Sequence, residues 1–170
     1  MVTYFSGLAL FQFMENIEYC APGHLFCRAK KVMLAVDGSE GASRAANVAF
    51  EVAEMTDSIV YIVHVIPMPT VAQFALMSGS DFEEVKQKYI ENGKRLLEGY
   101  KSAAIENGVE NEMLLEEGLP SERIISQSKN LGVDIVVMGS KGATSGTRTG
   151  MGSTVERVME GGEVTVLVVK

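Results

Sequence analysis

Short apolar runs alternate with helical patterns along most of the chain, and this alternation limits the possible folds more than any other feature. Residues 31–36, 59–65, 134–138 and 164–169 form four runs dominated by aliphatic side chains. Continuous apolar runs of this length are typical of strands that are buried on both faces, as in a parallel sheet. A fifth and less apolar run, 112–116, predicts a short strand at the edge of the sheet.

Helical patterns fill the segments between the predicted strands. The first helix is expected to follow Ser39, a favourable N-cap, and to carry Glu40 in its first turn. Its buried face consists of small residues, namely Ala42, Ala45, Ala46, Ala49 and Ala53. We expect further helices over residues 81–107, 120–131 and 153–159. Pro67 and Pro69 predict a long connection before the second of these four helices.

The order of the predicted elements indicates an α/β fold, a doubly wound five-stranded parallel sheet with helices on both faces. The length of 170 residues suits one domain with an appendage. We place this domain at residues 30–170 and an N-terminal arm at 1–29.

Charge and composition narrow the classes of partner. The net charge of −7 argues against a nucleic-acid binder. No apolar run reaches the roughly 18 residues of a membrane span, so no membrane association is expected. Two cysteines without a disulfide framework fit a reducing, cytoplasmic setting.

The arm at residues 1–29 is apolar and aromatic. It carries Phe5, Leu8, Phe11 and Phe13, and exposing these side chains to water would be unfavourable. We expect them to cover an apolar face of the same domain or a partner subunit. The alternative is that the segment is an upstream extension and that Met14 is the true initiator.

Three potential metal ligands lie close together in the arm, at Cys20, His24 and Cys27. Zinc accepts such ligands, but a fourth ligand is not evident and the spacing fits no strong zinc pattern. Unligated thiols in an irregular segment are the simpler interpretation, and a Cys20–Cys27 disulfide is disfavoured by the expected compartment.

The segment 139–153, called the glycine loop below, carries five glycines in fifteen residues. Glycine allows backbone N–H groups to approach an anion closely, and the positive end of the helix predicted to follow points at the same place. The loop therefore predicts a phosphate site. The alternative is a flexible surface loop in which Ser153 is an ordinary N-cap.

Two of the predicted strands end in residues suited to a ligand site. Asp37 follows the first strand and Gly139 follows the fourth. Ligands of doubly wound sheets bind beyond the carboxyl ends of the strands, at the point where the strand order reverses. If these two strands are neighbours, Asp37 faces the glycine loop. His64, in the second strand, is expected to be a core or strand-end histidine with satisfied hydrogen bonds, and a catalytic role is the alternative.

The spacing of the loop excludes several known nucleotide sites. The chain has no Walker motif, and no GxGxxG follows the first strand. The glycine loop instead matches G-x2-G-x9-G-[ST] through Gly139, Gly142, Gly152 and Ser153. Together with VMLAVDGSE, VDIVVMGSKG and the C-terminal VTVLVVK, this motif resembles the universal stress protein family of the ATP-binding type. The resemblance covers about residues 30–170.

The resemblance implies a strand order of 3-2-1-4-5 and a set of contacts to an adenine nucleotide. Asp37 would lie by the adenosine, Ala35 would line the base pocket, and the backbone of Val65 would bind adenine. The ribose would lie against Met138 and Gly139. The phosphates would be held by Gly142, Gly152, Ser153 and Thr154. Ser140 completes the expected set, together with Lys141, which lies either at the phosphates or in solvent; Arg148 is expected in solvent.

Ligand and assembly are also implied by the resemblance. The expected ligand is ATP, with AMP or ADP as alternatives, accompanied by Mg²⁺. A homodimer is expected through the last strand, 164–169, whose apolar edge also calls for a partner on physical grounds.

Three functions remain open on this sequence. The first is a regulatory protein that binds ATP and responds to stress. The second is a slow ATPase, which needs a positioned base near the γ-phosphate. The third is an interaction module with a vestigial nucleotide site. Because Asp37 is the sole strand-end acid, we favour binding over catalysis and assign neither a catalytic residue nor a metal ligand.

Overall fold

A computed structural model describes residues 29–143 and 150–170, and within them a parallel five-stranded sheet forms the centre of the molecule. The strand order is β3-β2-β1-β4-β5, which confirms the expected order and the doubly wound fold. The strands are β1 (Lys31–Ala35), β2 (Ile59–Pro67), β3 (Asn111–Gly118), β4 (Ile135–Gly139) and β5 (Thr165–Val169).

Five helices in the described residues cover the sheet. They are α1 (Glu40–Thr56), α2 (Met68–Ser78), α3 (Phe82–Glu106), α4 (Pro120–Leu131) and α5 (Ser153–Gly161). Ser39 caps α1 as predicted, because its side-chain oxygen accepts a hydrogen bond from the backbone N–H of Ala42.

Alternate residues of the central strands enter two separate cores. Val32 and Leu34 of β1 pack with α1 and α3 on one face, whereas Met33 packs on the opposite face with α4 and α5. All three side chains are fully buried. The apolar runs of the sequence therefore reflect strands that are covered on both sides.

The predicted long connection after β2 is wrong, because residues 68–78 form the helix α2. Proline fits the first turn of a helix, where its missing N–H has no partner to lose. Within α2, Val71 and Ala75 are the buried residues, one turn apart, while Phe74 and other large apolar side chains are exposed. The apolar residues therefore surround the helix, and no amphipathic pattern marks it in the sequence.

β3 is longer than predicted and lies at the edge of the sheet, as expected. The segment 1–28, with the proposed arm contacts and the Cys20, His24 and Cys27 group, lies outside the described residues. So do residues 144–149 of the glycine loop, including Arg148. No helix in the described ranges is long and apolar enough to cross a membrane.

Candidate functional site

A cleft of about 990 Å³ opens at the carboxyl ends of the strands, in the part of the chain that the structure describes. Its volume is at the upper end of the range of roughly 300–1,000 Å³ for small-molecule sites. β1 pairs with both β2 and β4, so the strand order reverses between β1 and β4. The cleft therefore lies where ligands bind in sheets of this kind.

Ten of the eleven predicted site residues line this cleft. They are Ala35, Asp37, Val65, Met138, Gly139, Lys141, Gly142, Gly152, Ser153 and Thr154. Ser140 does not line it. Its backbone N–H donates to the carbonyl of Val169 at 2.7 Å, and its own carbonyl accepts from the N–H of Gly152 at 2.9 Å. Ser140 thus joins the two ends of the glycine loop to β5.

Asp37 faces the glycine loop, as the sequence predicts. The backbone N–H of Ala143 donates to its Oδ2 at 2.7 Å, and the N–H of Ser39 donates to its Oδ1 at 3.0 Å. The carboxylate therefore connects the end of β1 to the loop that follows β4. Hydrogen bonds to a charged acceptor are among the stronger ones in proteins, so Asp37 fixes the shape of the cleft before any ligand arrives.

Two motif glycines are required by contacts within the protein itself. A Cβ at Gly142 would lie 2.5 Å from Oδ2 of Asp37. A Cβ at Gly139 would lie 2.6 Å from the backbone carbon of Gly41, at the start of α1. These two positions permit the close backbone approach of α1, β1 and the loop, whether or not a ligand binds.

Gly152 differs from these glycines. Its φ is −72°, which any residue adopts, and a Cβ there would make only ordinary contacts, the shortest 3.5 Å to the carbonyl oxygen of Ser140. That Cβ would also lie 3.7 Å from the nitrogen of Gly142. No contact in the described protein therefore requires glycine at this position.

The N-terminus of α5 opens into the cleft without a side-chain cap. Gly152 is its N-cap residue, so the alternative in which Ser153 serves as an ordinary cap is wrong. The first backbone N–H groups of a helix have no partner within it, and they form the positive end of the helix dipole. This end of the cleft is therefore suited to an anion.

At the opposite end of the cleft, the ladder between β1 and β2 stops in an unusual way. Its last bond runs from the N–H of Val36 to the carbonyl of Val63. In a parallel ladder the carbonyl of Val36 would next accept from the N–H of Val65. It instead accepts from Nδ1 of His64, at 2.8 Å.

The side chain of His64 therefore replaces a backbone donor at the end of the ladder. A carbonyl only accepts, so the ring carries its hydrogen on Nδ1. The histidine is thus satisfied by a strand-end carbonyl, as predicted. As a consequence, no backbone bond from the N–H of Val65 follows in the described residues, and β1 has already ended at this level. The peptide groups of Val65 therefore face the cleft.

Comparison with known proteins identifies the family. The model of the universal stress protein family matches residues 28–170. The chain belongs to the universal stress protein family. The universal stress protein MJ0531 of Methanocaldococcus jannaschii is 31% identical over 141 residues, which cover 83% of this chain and 82% of that protein.

Solved structures agree with this family. The structure of protein MJ0577, from the same archaeon, has a TM-score of 0.74 and 29% identity, and covers 84% of this chain and 96% of that one. A universal stress protein of Archaeoglobus fulgidus in complex with dAMP has a TM-score of 0.62 and 24% identity, with 85% and 99% covered. At that identity, the second likeness shows a shared fold.

Several residues of this universal stress protein line the cleft but were not predicted from the sequence. Glu156 and Arg157, in the first turns of α5, are two of them. A further group comes from the start of α4, namely Leu119, Pro120, Ser121 and Ile124. The strand order could have predicted the α4 residues. α4 begins directly after β3, which pairs with β2, so its first residues lie at the carboxyl ends of the strands, as Val65 does.

We expect Asp37→Ala to lower the free energy of unfolding by about 1–2 kcal/mol, because two backbone N–H groups lose a charged acceptor. Asp37→Asn should have a smaller effect, since one oxygen remains. Urea denaturation followed by circular dichroism measures both. Asp57→Asn removes the same charge where no backbone N–H of the described residues donates to the carboxylate, and it should change stability by less than about 0.5 kcal/mol. Equal losses from Asp37→Ala and Asp57→Asn would contradict the structural role of Asp37.

Proposed function

We propose that this universal stress protein binds ATP and acts as a nucleotide-dependent regulatory protein in the stress response, rather than as an enzyme. The observation that carries the proposal is the uncapped N-terminus of α5, preceded by Gly152, at one end of the cleft. An uncapped helix start beside a glycine that the protein's own packing does not require is best explained by a ligand with a phosphate group.

The two ends of the cleft fit the two ends of an adenine nucleotide. The open peptide groups of Val65 offer one donor and one acceptor, which match a ring nitrogen and the exocyclic amine of adenine. Ala35 and Met138 supply apolar surface next to them. Gly142, Ser153 and Thr154 line the end suited to phosphates. Asp37 lies against Gly142, and in the proposed arrangement its carboxylate would serve the ribose.

The proposed ATP would be accompanied by Mg²⁺. Magnesium usually keeps several waters and is bound through one or two protein oxygens together with substrate phosphates. The hydroxyl groups of Ser153 and Thr154 and the carboxylate of Glu156 fit this donor set. The described residues contain no cluster of three or more metal-binding side chains, so the phosphates would supply most of the coordination.

AMP or ADP are the alternative ligands at the same site. The Archaeoglobus fulgidus protein in complex with dAMP has the same fold, so this fold accommodates an adenine monophosphate. The proposal of ATP rests on the glycine loop, whose G-x2-G-x9-G-[ST] spacing resembles that of the ATP-binding type of the family.

Substitution of Gly152 separates ligand binding from stability. We expect Gly152→Ala to weaken Mg-ATP binding by about tenfold or more, because the new methyl group would lie against the nitrogen of Gly142 and obstruct a phosphate. Alanine is a poorer N-cap than glycine but restricts the unfolded chain, so stability should change by less than about 1 kcal/mol. Isothermal titration calorimetry and thermal denaturation measure the two quantities.

Gly99→Ala is the matched control for this substitution. A Cβ at Gly99 meets no atom within 4 Å, so this variant should bind Mg-ATP as the wild type does. If the wild type neither binds an adenine nucleotide nor carries one after purification, the proposal fails, and the interaction module with a vestigial site becomes the better interpretation.

The slow ATPase is a second candidate because Glu156 lines the cleft beside the proposed phosphate end. It supplies the second acid that the sequence reasoning did not find. We nevertheless expect phosphate release by the wild type to be no faster than by Gly152→Ala, as measured with a coupled phosphate assay. Turnover that disappears in Glu156→Gln, while Mg-ATP binding persists, would establish the ATPase instead.

A homodimer through β5 forms part of the proposal. β5 pairs with β4 alone in the described sheet, so its other side is an unpaired edge. The carbonyl of Val169 bonds toward β4, and alternate residues of a strand point their peptide groups in opposite directions. The peptide groups of Val166 and Val168 therefore face outward, where a second copy of the chain can pair with them.

We expect Val168→Pro to convert a dimer to a monomer while keeping the fold, because proline removes an outward N–H without touching the β4 ladder. Val168→Ala keeps that N–H while shortening the side chain, and it should remain dimeric. Sedimentation equilibrium measures the mass of each species. A wild type that sediments as a monomer, or a Val168→Pro variant that stays dimeric, would show that β5 does not form the interface.

A further inference from the structure

Ser121 lines the cleft and carries a hydroxyl group that makes no hydrogen bond within the described residues. The residue is only 5% exposed and lines the cleft. Ser58 and Ser128 are equally buried, yet each donates to a backbone carbonyl, at 3.0 and 2.9 Å. For Oγ of Ser121, no hydrogen bond is found among the residues that the structure describes. The hydroxyl therefore remains available to a ligand in the cleft.

The start of α4 supplies a second hydrogen-bonding group beside this hydroxyl. Leu119 is the N-cap residue and has no side chain that can cap, while Pro120 has no N–H. The backbone N–H of Ser121 is the first donor of a twelve-residue helix, and it has no partner inside the helix. Ser121 therefore presents both a hydroxyl and the positive end of a helix dipole at the cleft.

The position of α4 decides which part of a ligand Ser121 meets. Ile124 lies three residues further along the same helix and packs in one cluster with Val65 and Met138. α4 packs on β2, on β3 and on α5. Val65 pairs with Glu116 of β3, and α4 begins directly after β3, so Ser121 lies beside the carboxyl end of β2, which is the end assigned to the base.

We propose that Ser121 is a specificity-determining residue whose Oγ accepts a hydrogen bond from the exocyclic amine of the bound adenine. The proposal rests on the proposed nucleotide function. An amine has two hydrogens, and the carbonyl of Val65 can accept one, so the second is available to Ser121. A bound purine without the amine would cover the Ser121 hydroxyl and leave it unpaired, which is the costly case for a hydrogen-bonding site.

A double-mutant cycle on protein and ligand tests this contact. The ligands are Mg-ATP and the Mg complex of purine riboside triphosphate, which lacks the amine, and the variants are Ser121→Ala and Ser128→Ala. Ser128 is equally buried in the same helix but bonds within it, so it is the matched control. Isothermal titration calorimetry gives the affinity of each pair.

The wild type and Ser128→Ala should prefer Mg-ATP to the analogue by the same factor. In Ser121→Ala this preference should fall about threefold to tenfold, because Mg-ATP loses a hydrogen bond while the analogue no longer leaves a hydroxyl unpaired. An equal loss of affinity for both ligands, or no loss for either, overturns the role of Ser121 while the nucleotide function stands. A wild type that binds no adenine nucleotide overturns both.

Discussion

The carboxylate of Asp37 is the interaction on which the candidate site depends. It accepts hydrogen bonds from Ser39, at the start of α1, and from Ala143, at the start of the glycine loop. Segments about a hundred residues apart are thereby held against each other at the reversal of strand order. The contact also explains why Gly142 carries no side chain, since a Cβ would meet the carboxylate itself. The same residue therefore shapes the cleft and lines it.

A second constraint acts at the other end of the cleft. Nδ1 of His64 donates a hydrogen bond to the carbonyl of Val36. In a continued ladder, this carbonyl would accept from the N–H of Val65 instead. A side chain thus ends the β1–β2 ladder before the peptide of Val65 can join it, which leaves that part of the cleft open. The ring makes one hydrogen bond, and its effect is to leave a neighbouring peptide open. This structural role accounts for a histidine at the end of β2 without any catalytic function.

The strands and most helices could be predicted because their physical causes are local. Apolar β-branched runs indicate buried strands, and the alanine face of α1 is buried throughout, including Ala45 and Ala49. The strand order was implied by the resemblance to the family. The helix α2 was missed because its prolines and exposed apolar residues hide any periodicity. Ser121 and Glu156 line the cleft but were missed, because the motif marks only the strand ends and the glycine loop, whereas both residues lie in the first turns of helices that the strand order brings to the cleft.

Because the chain is acidic, the proposed phosphate site depends on groups that lie close to it. With a net charge of −7, the protein as a whole repels a nucleotide, and only short-range groups can offset this. The start of α5 supplies such groups, as do Lys141 and Arg157, which line the cleft. Glu156, in the first turn of α5, stabilises the helix while no anion is bound but opposes an incoming phosphate. A divalent cation between the two would remove this conflict, which is the physical argument for proposing Mg-ATP rather than free ATP as the ligand.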